Sequence, residues 1–181
     1  MSQAVKLLSE TADTYTVGGY GVVWGGKDIE GDHFTKDTDF WFDRITETPP
    51  VLYDHGFNGS AQKGVLGQVV KKVYDDTGLW IEAELDKSRK YVEAVMTLIK
   101  TGRIGWSSGA VEHLAEKAKG GWLKVWPVAE FSLTASPMEP RTLGVEELSA
   151  VEDDPAIKSI IETVKATWST AFVNDLPDAS F

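Results

Sequence analysis

Five consecutive residues, Gly105-Trp106-Ser107-Ser108-Gly109, fit the pattern G-x-S-x-G and set Ser107 between two glycines. A serine hydroxyl is a poor nucleophile at neutral pH. It needs a base within hydrogen-bond reach, and the base needs a group that orients it. The chain has three histidines, so few bases compete. His33 sits in an acidic loop, Gly31-Asp32-His33-Phe34. His113 follows Ser107 along what reads as one strand, and six residues of extended chain put it about 20 Å away. His55, in Tyr53-Asp54-His55-Gly56, ends a short apolar run, a place where an active-site base is displayed; the plain alternative is a surface-loop histidine. For the orienting acid the choice is Glu130, in Pro127-Val-Ala-Glu-Phe-Ser-Leu-Thr. Period-two alternation puts Glu130, Ser132 and Thr134 on one face and Phe131 and Leu133 on the other. A carboxylate in such an apolar strand is costly unless paired, although an edge strand can also turn an acid to solvent. Asp54 is the weaker candidate, because neighbouring strand residues point to opposite faces.

The same motif marks the nucleophile elbow of α/β-hydrolases, but that fold requires Ser, then Asp or Glu, then His, preceded by a strand. Here His113 is the one histidine after Ser107, and the preceding element reads as a helix. A chymotrypsin-like order would use His55, then Asp75, Asp76 or Asp86, then Ser107; it lacks the Gly-Gly after the serine and places a helix between acid and nucleophile. The absence of Cys excludes disulfides, thiolate metal sites and a cysteine nucleophile. Asp28, Glu30, Asp32, Asp37 and Asp39 do not match EF-hand spacing and read as a solvated loop. No metal and no cofactor is expected.

The elements that must position these residues follow from pattern. The chain has 181 residues, 42% of them hydrophobic, with seven Trp and 17 Gly, which suits a sheet-rich domain with many turns. Thr14 to Trp24 reads as a strand bent or bulged at Gly18, Gly19 and Gly21. Residues 1 to 13 read as a loose or edge-pairing start, and Phe40 to Asp43 and Val51 to Tyr53 as short strands. Val65 to Tyr74 and Leu79 to Leu85 form a hairpin about Asp75-Asp76-Thr77-Gly78, with Gly supplying positive φ. A helix follows, capped by Asp86 or Ser88, with Tyr91, Val95 and Leu98 on one stripe, Val92 and Ile99 beside it, and Gly102 as its stop. Ile104 to Ala118 and Trp122 to Ala135 read as long strands. Residues 1 to 145 form the catalytic domain and 146 to 154 an acidic linker. Residues 155 to 175 form an amphipathic helix with the stripe Ile157, Ile160, Ile161, Val164, Trp168 and Phe172, packed on the body or on a partner.

The formal charge is -10, from 18 basic and 28 acidic residues. Such a chain repels phosphate backbones, so nucleic acid is not an expected partner. No signal peptide and no membrane span is legible, and an intracellular protein without membrane attachment is expected.

Four segments, in order, resemble the prohead serine proteases of tailed phages, which mature the viral capsid. They are Gly19-Tyr-Gly-Val-Val-Trp with Asp28-Ile-Glu-Gly-Asp-His-Phe, then Pro50-Val-Leu-Tyr-Asp-His-Gly, then Leu98-Ile-Lys-Thr-Gly-Arg-Ile-Gly-Trp-Ser-Ser-Gly, then Ala129-Glu-Phe-Ser-Leu-Thr-Ala-Ser-Pro-Met-Glu-Pro. The resemblance selects Ser107 over Ser108 as nucleophile, His55 as base and Glu130 as acid. Ser108 and Ala110 depart from the family's usual aliphatic and aromatic residues. The resemblance implies a mostly β fold with helices (α+β), a closed β-barrel of the herpesvirus-assemblin type. It implies scaffolding protein, major capsid protein and the protease itself as substrates, a possible homodimer, and a place in the host bacterial cytoplasm inside the assembling procapsid. The alternative is an assembly or scaffold protein that keeps the protease fold without catalysis. Backbone N–H groups of residues 108 to 110 are the expected oxyanion donors, and Arg141 is an auxiliary candidate.

Overall fold

The computed structural model describes residues 4–56 and 64–143. The expected acidic linker and C-terminal helix lie outside the described residues. Within them the chain is mostly β. The strands are β1 (Lys6–Glu10), β2 (Thr14–Val23), β3 (Pro50–Tyr53), β4 (Val65–Tyr74), β5 (Gly78–Asp86), β6 (Gly105–Ala110), β7 (Glu116–Lys117), β8 (Leu123–Val125) and β9 (Val128–Thr134). One α-helix, α1 (Val92–Lys100), joins them among the described residues. Seven strands form one sheet in the order β1-β2-β5-β4-β3-β9-β6, and β7 and β8 form a separate pair. Within the large sheet all neighbours are antiparallel except β3 and β9, which run parallel.

The sheet curls around its core. Gly19 of β2 is packed so closely on the indole of Trp106 in β6 that a Cβ would lie 2.9 Å from the ring, and one on Gly21 would lie 2.6 Å from Phe131 of β9. Val17, Leu66, Leu79, Ile81, Leu85, Trp106, Phe131 and Leu133 are fully buried between these walls. The expected closed barrel does not form: β1 and β6 end the hydrogen-bonded order and the sheet stays open. The Trp106 indole fills the space between β2 and β6, and the Thr142 hydroxyl donates to the Trp106 carbonyl at 3.0 Å on β6. At Trp106 the β6 backbone carbonyl is thus taken up by a loop side chain.

Several element boundaries also differ from expectation. Phe40 to Asp43 is a turn region; the pairing there is one bridge between Asp39 and Val125. The stretch 122 to 135 is two strands, because Pro127 has no N–H to continue a ladder. Its carbonyl instead accepts from Val111 N–H at 2.9 Å. The stretch 104 to 118 ends as a strand at Ala110, and Glu112–Leu114 form a 3-10 turn before β7. The β4–β5 hairpin is as expected, but its turn is closed by the Asp75 side chain, which accepts from Thr77 and Gly78 N–H at 2.7 and 3.0 Å. Gly78 is not left-handed. It lacks a side chain because one would strike the Val22 carbonyl of β2.

Helix α1 starts later than expected. Tyr91 is its N-cap, without a side-chain bond, while Asp86 closes the preceding turn by accepting from Ser88 N–H at 2.9 Å and Ser88 Oγ at 2.6 Å. Its buried stripe is Val92, Val95, Met96 and Ile99. The stop at Gly102 is as expected: its φ is 67, with Gly102 N–H on Ile99 O at 3.0 Å and Arg103 N–H on Leu98 O at 2.9 Å. Such paired bonds to a left-handed residue close a helix C-terminus.

Phe131 lies edge-on to Trp106 at a ring separation of 6.5 Å and joins β9 to β2 across the core. Phe131→Ala should therefore cost about 3 to 5 kcal/mol in a denaturant titration. A loss below about 1 kcal/mol would show that the site collapses without it.

Candidate active site

Three adjacent strands carry the three residues singled out in the sequence. β9 is central, with β3 on one side and β6 on the other. Glu130 lies within β9, Ser107 within β6, and His55 just past the end of β3. Ser107 stands opposite Ser132, and Gly109 opposite Glu130. Residues directly opposite in an antiparallel pair project from the same face. Ser107, Ser132 and Glu130 therefore share a face.

β3 ends in a tight turn that presents His55 to that face. Asp54 and His55 are both left-handed, with φ 48 and 54, followed by Gly56 at 73. Non-glycine residues rarely adopt this conformation, and surrounding bonds must hold it. Asp54 Oδ1 accepts from Thr134 Oγ at 2.7 Å, and the His55 N–H donates to Ser132 Oγ at 3.0 Å. Tyr53 stacks on Tyr91 at the start of α1, with ring centroids 5.7 Å apart.

The His55 ring meets Glu130: Nδ1 lies 2.7 Å from Oε1. An ionised carboxylate only accepts, so Nδ1 carries the proton and, in neutral imidazole, Nε2 is the basic nitrogen. The side chains are 29% and 12% exposed, so the pair is shielded but reachable. The hydrogen bond to Glu130 raises the His55 pKa above 6.5; burial opposes it, and the charges of Glu130 and Asp54 add to it. The other carboxylate oxygen, Oε2, accepts from Ser132 Oγ at 2.6 Å.

Gly109 leaves room for this carboxylate. A Cβ there would collide with Glu130 Oε1. The space beside Gly109 is occupied by the acid. Gly105 likewise leaves room for the Thr142 hydroxyl. Both glycines of the G-x-S-x-G frame thus make space inside a strand, and Ser107 is not on an elbow.

Ser107 and His55 line one cavity of about 360 Å³. Its apolar wall includes Val22, Phe34, Ala110, Leu123 and Trp126, and its acidic side includes Asp28, Glu30, Glu112 and Glu139. Ser107 is 8% exposed. Ser108, the departure beside it, accepts from the Trp126 indole N–H at 3.1 Å and so helps fix a cavity wall.

The remaining candidates lie elsewhere. Asp75 bonds to Tyr20, Asp76 to Lys36 and Asp86 to Ser88, so the chymotrypsin-like order finds no support. Asp54 serves Thr134 rather than the imidazole. His33 bridges to Trp122, and His113 sits exposed in a 3-10 turn rather than on the strand with Ser107. Arg141 is engaged by Glu139 and the carbonyls of Trp24 and Gly25. In the acidic loop, Asp28 accepts from Glu30 and Asp32 N–H, and Asp32 pairs with Lys117. Sequence reasoning assigned no role to Ser132, Trp126 or Phe34. The alternation that placed Ser132 beside Glu130 was the available signal.

No protein-family model matches the chain, and no curated protein matches it. Among solved structures it is similar to the KSHV protease in complex with a hexapeptide phosphonate inhibitor, at 15% identity and a TM-score of 0.47, over 85% of this chain and 77% of that one. It is also similar to the varicella-zoster virus protease, at 14% identity and a TM-score of 0.38, over 92% of each chain. Both likenesses are too distant to decide fold or chemistry, which rest on the chain's own geometry.

Two outcomes follow from the Glu130–His55 contact. A raised folded-state pKa means the pair stabilises the fold fully below 6.5 and loses that contribution as pH rises through the raised value. The unfolding free-energy difference between wild type and His55→Asn should therefore shrink as pH rises; a growing difference would reverse the sign. Gly109→Ala should displace the carboxylate, so that the imidazole, followed by NMR, titrates back toward 6.5. An unchanged titration would place the carboxylate elsewhere.

Proposed function

We propose that this chain is a serine endopeptidase in which Ser107 attacks a peptide carbonyl, His55 takes its proton, and Glu130 orients His55. The observation that carries this reading is the 2.7 Å contact between His55 Nδ1 and Glu130 Oε1, on a face that Ser107 shares from the next strand. With Nδ1 committed to Glu130, the proton from Ser107 passes to Nε2, and the carboxylate stabilises the imidazolium that forms. The imidazolium then protonates the leaving amine, and water repeats the cycle on the acyl-enzyme. Alternate N–H groups of an edge strand face away from its neighbour, so those of residues 108 to 110 are the source of oxyanion donors. Each such donor is worth about 3 kcal/mol in the transition state.

The cavity beside Ser107 accommodates a peptide side chain against Phe34, Leu123 and Trp126. The order and content of the four segments support the finer reading, a prohead protease of the tailed-phage kind. Its substrates are then scaffolding protein, the N-terminal segment of the major capsid protein, and the protease itself, within the procapsid in the host cytoplasm.

Co-expression with the capsid and scaffolding proteins tests both levels. Ser107→Ala should abolish cleavage, and Ser108→Ala should retain it, with cavity effects confined to KM. Unchanged cleavage in Ser107→Ala would remove the assignment. Loss in Ser108→Ala alone would move the nucleophile by one residue. A wild-type chain that is inert on its partners would favour the silent assembly protein.

A further inference from the structure

His55 is held from two directions by one hydroxyl. Its main-chain N–H donates to Ser132 Oγ at 3.0 Å, and Ser132 Oγ lies 2.6 Å from Glu130 Oε2. The directions are fixed by chemistry. An amide N–H only donates and a carboxylate only accepts, so the Ser132 proton must point to Glu130 while a lone pair faces His55. Glu130 Oε1 then receives His55 Nδ1 at 2.7 Å. The bonds close a ring that runs from the His55 backbone through Ser132 to Glu130 and back to the His55 imidazole.

Ser132 is fully buried at the centre of the three-strand unit. It is paired to Leu52 on β3 and to Ser107 on β6, so its place is set by both neighbours. From there it ties down a backbone in the left-handed region, φ 54, and also fixes which way the carboxylate faces. We propose that Ser132 is the positioning residue of this site, holding base and acid in mutual register through that ring. Its catalytic consequence rests on the protease reading above; the ring itself does not. Ser132→Ala would leave the His55 N–H without its acceptor and Glu130 Oε2 without its donor, and unmet buried groups displace what they belong to.

The test uses the full chain as wild type, Ser132→Ala and Ser132→Thr, with His55 titrated by NMR and peptidase kinetics measured across pH. Among the described residues, charges that act on His55 include Glu130 and Asp54, and both remain in every variant. In Ser132→Ala the imidazole should titrate lower, toward 6.5, because the carboxylate no longer faces it. The value of kcat should fall by about 10-fold or more, with KM little changed. Ser132→Thr keeps the hydroxyl and should restore both. If Ser132→Ala does not fold, Ser132→Cys, similar in shape but a weak donor, carries the same expectations. An unchanged His55 titration, or one that rises because the carboxylate has merely lost a donor, overturns the proposal. So does equal impairment in the Thr and Ala variants. If wild type has no peptidase activity while the titration falls in Ser132→Ala, the protease reading fails and the ring stands.

Discussion

Glu130 holds a carboxylate that is 12% exposed, and withdrawing such a charge from water costs several kcal/mol unless its oxygens find donors. The site is arranged around that requirement. One oxygen takes the His55 imidazole and the other the Ser132 hydroxyl. The space for it exists because the residue opposite, Gly109, has no side chain. A paired, part-buried acid therefore dictates the residue across the ladder, the residue two places along its strand, and the ring it faces.

The strand order makes the arrangement possible. With β9 between β3 and β6, three segments distant in sequence deliver His55, Glu130 and Ser107 to one face. The opposite side of the same strands builds the core, where Trp106 and Phe131 pack edge-on and the bare backbone of β2 at Gly19 and Gly21 admits them. The curl that encloses this core leaves the β6 edge beside a cavity rather than under another strand. Open architecture thus leaves the largely buried Ser107 on the wall of a cavity.

Much of this was legible in the chain. Alternation alone put Glu130, Ser132 and Thr134 on one face, and the structure gives that face to His55 and Asp54. The hairpin at residues 75 to 78 and the stop at Gly102 were readable because turn chemistry is local. The long-range features were not. Nothing local shows that Glu130, 21 residues further along the chain, fills the space that Gly109 leaves. The closed barrel was implied by the family resemblance, and no local pattern announces that the Trp106 indole packs against Gly19 of β2. Pro127 did announce the break in the last strand pair, and the apolar run around it masked the signal.

The central claim is that Ser107 reacts because His55, aligned by Glu130, takes its proton. Its most direct measurement is the rate of phosphonylation by a serine-directed phosphonate as a function of pH, with the adduct mapped by mass spectrometry. The account predicts one adduct, on Ser107, forming faster as pH rises through a His55 pKa above 6.5, and not forming in His55→Ala. An adduct on another residue, or labelling of Ser107 at a rate indifferent to His55, would contradict it.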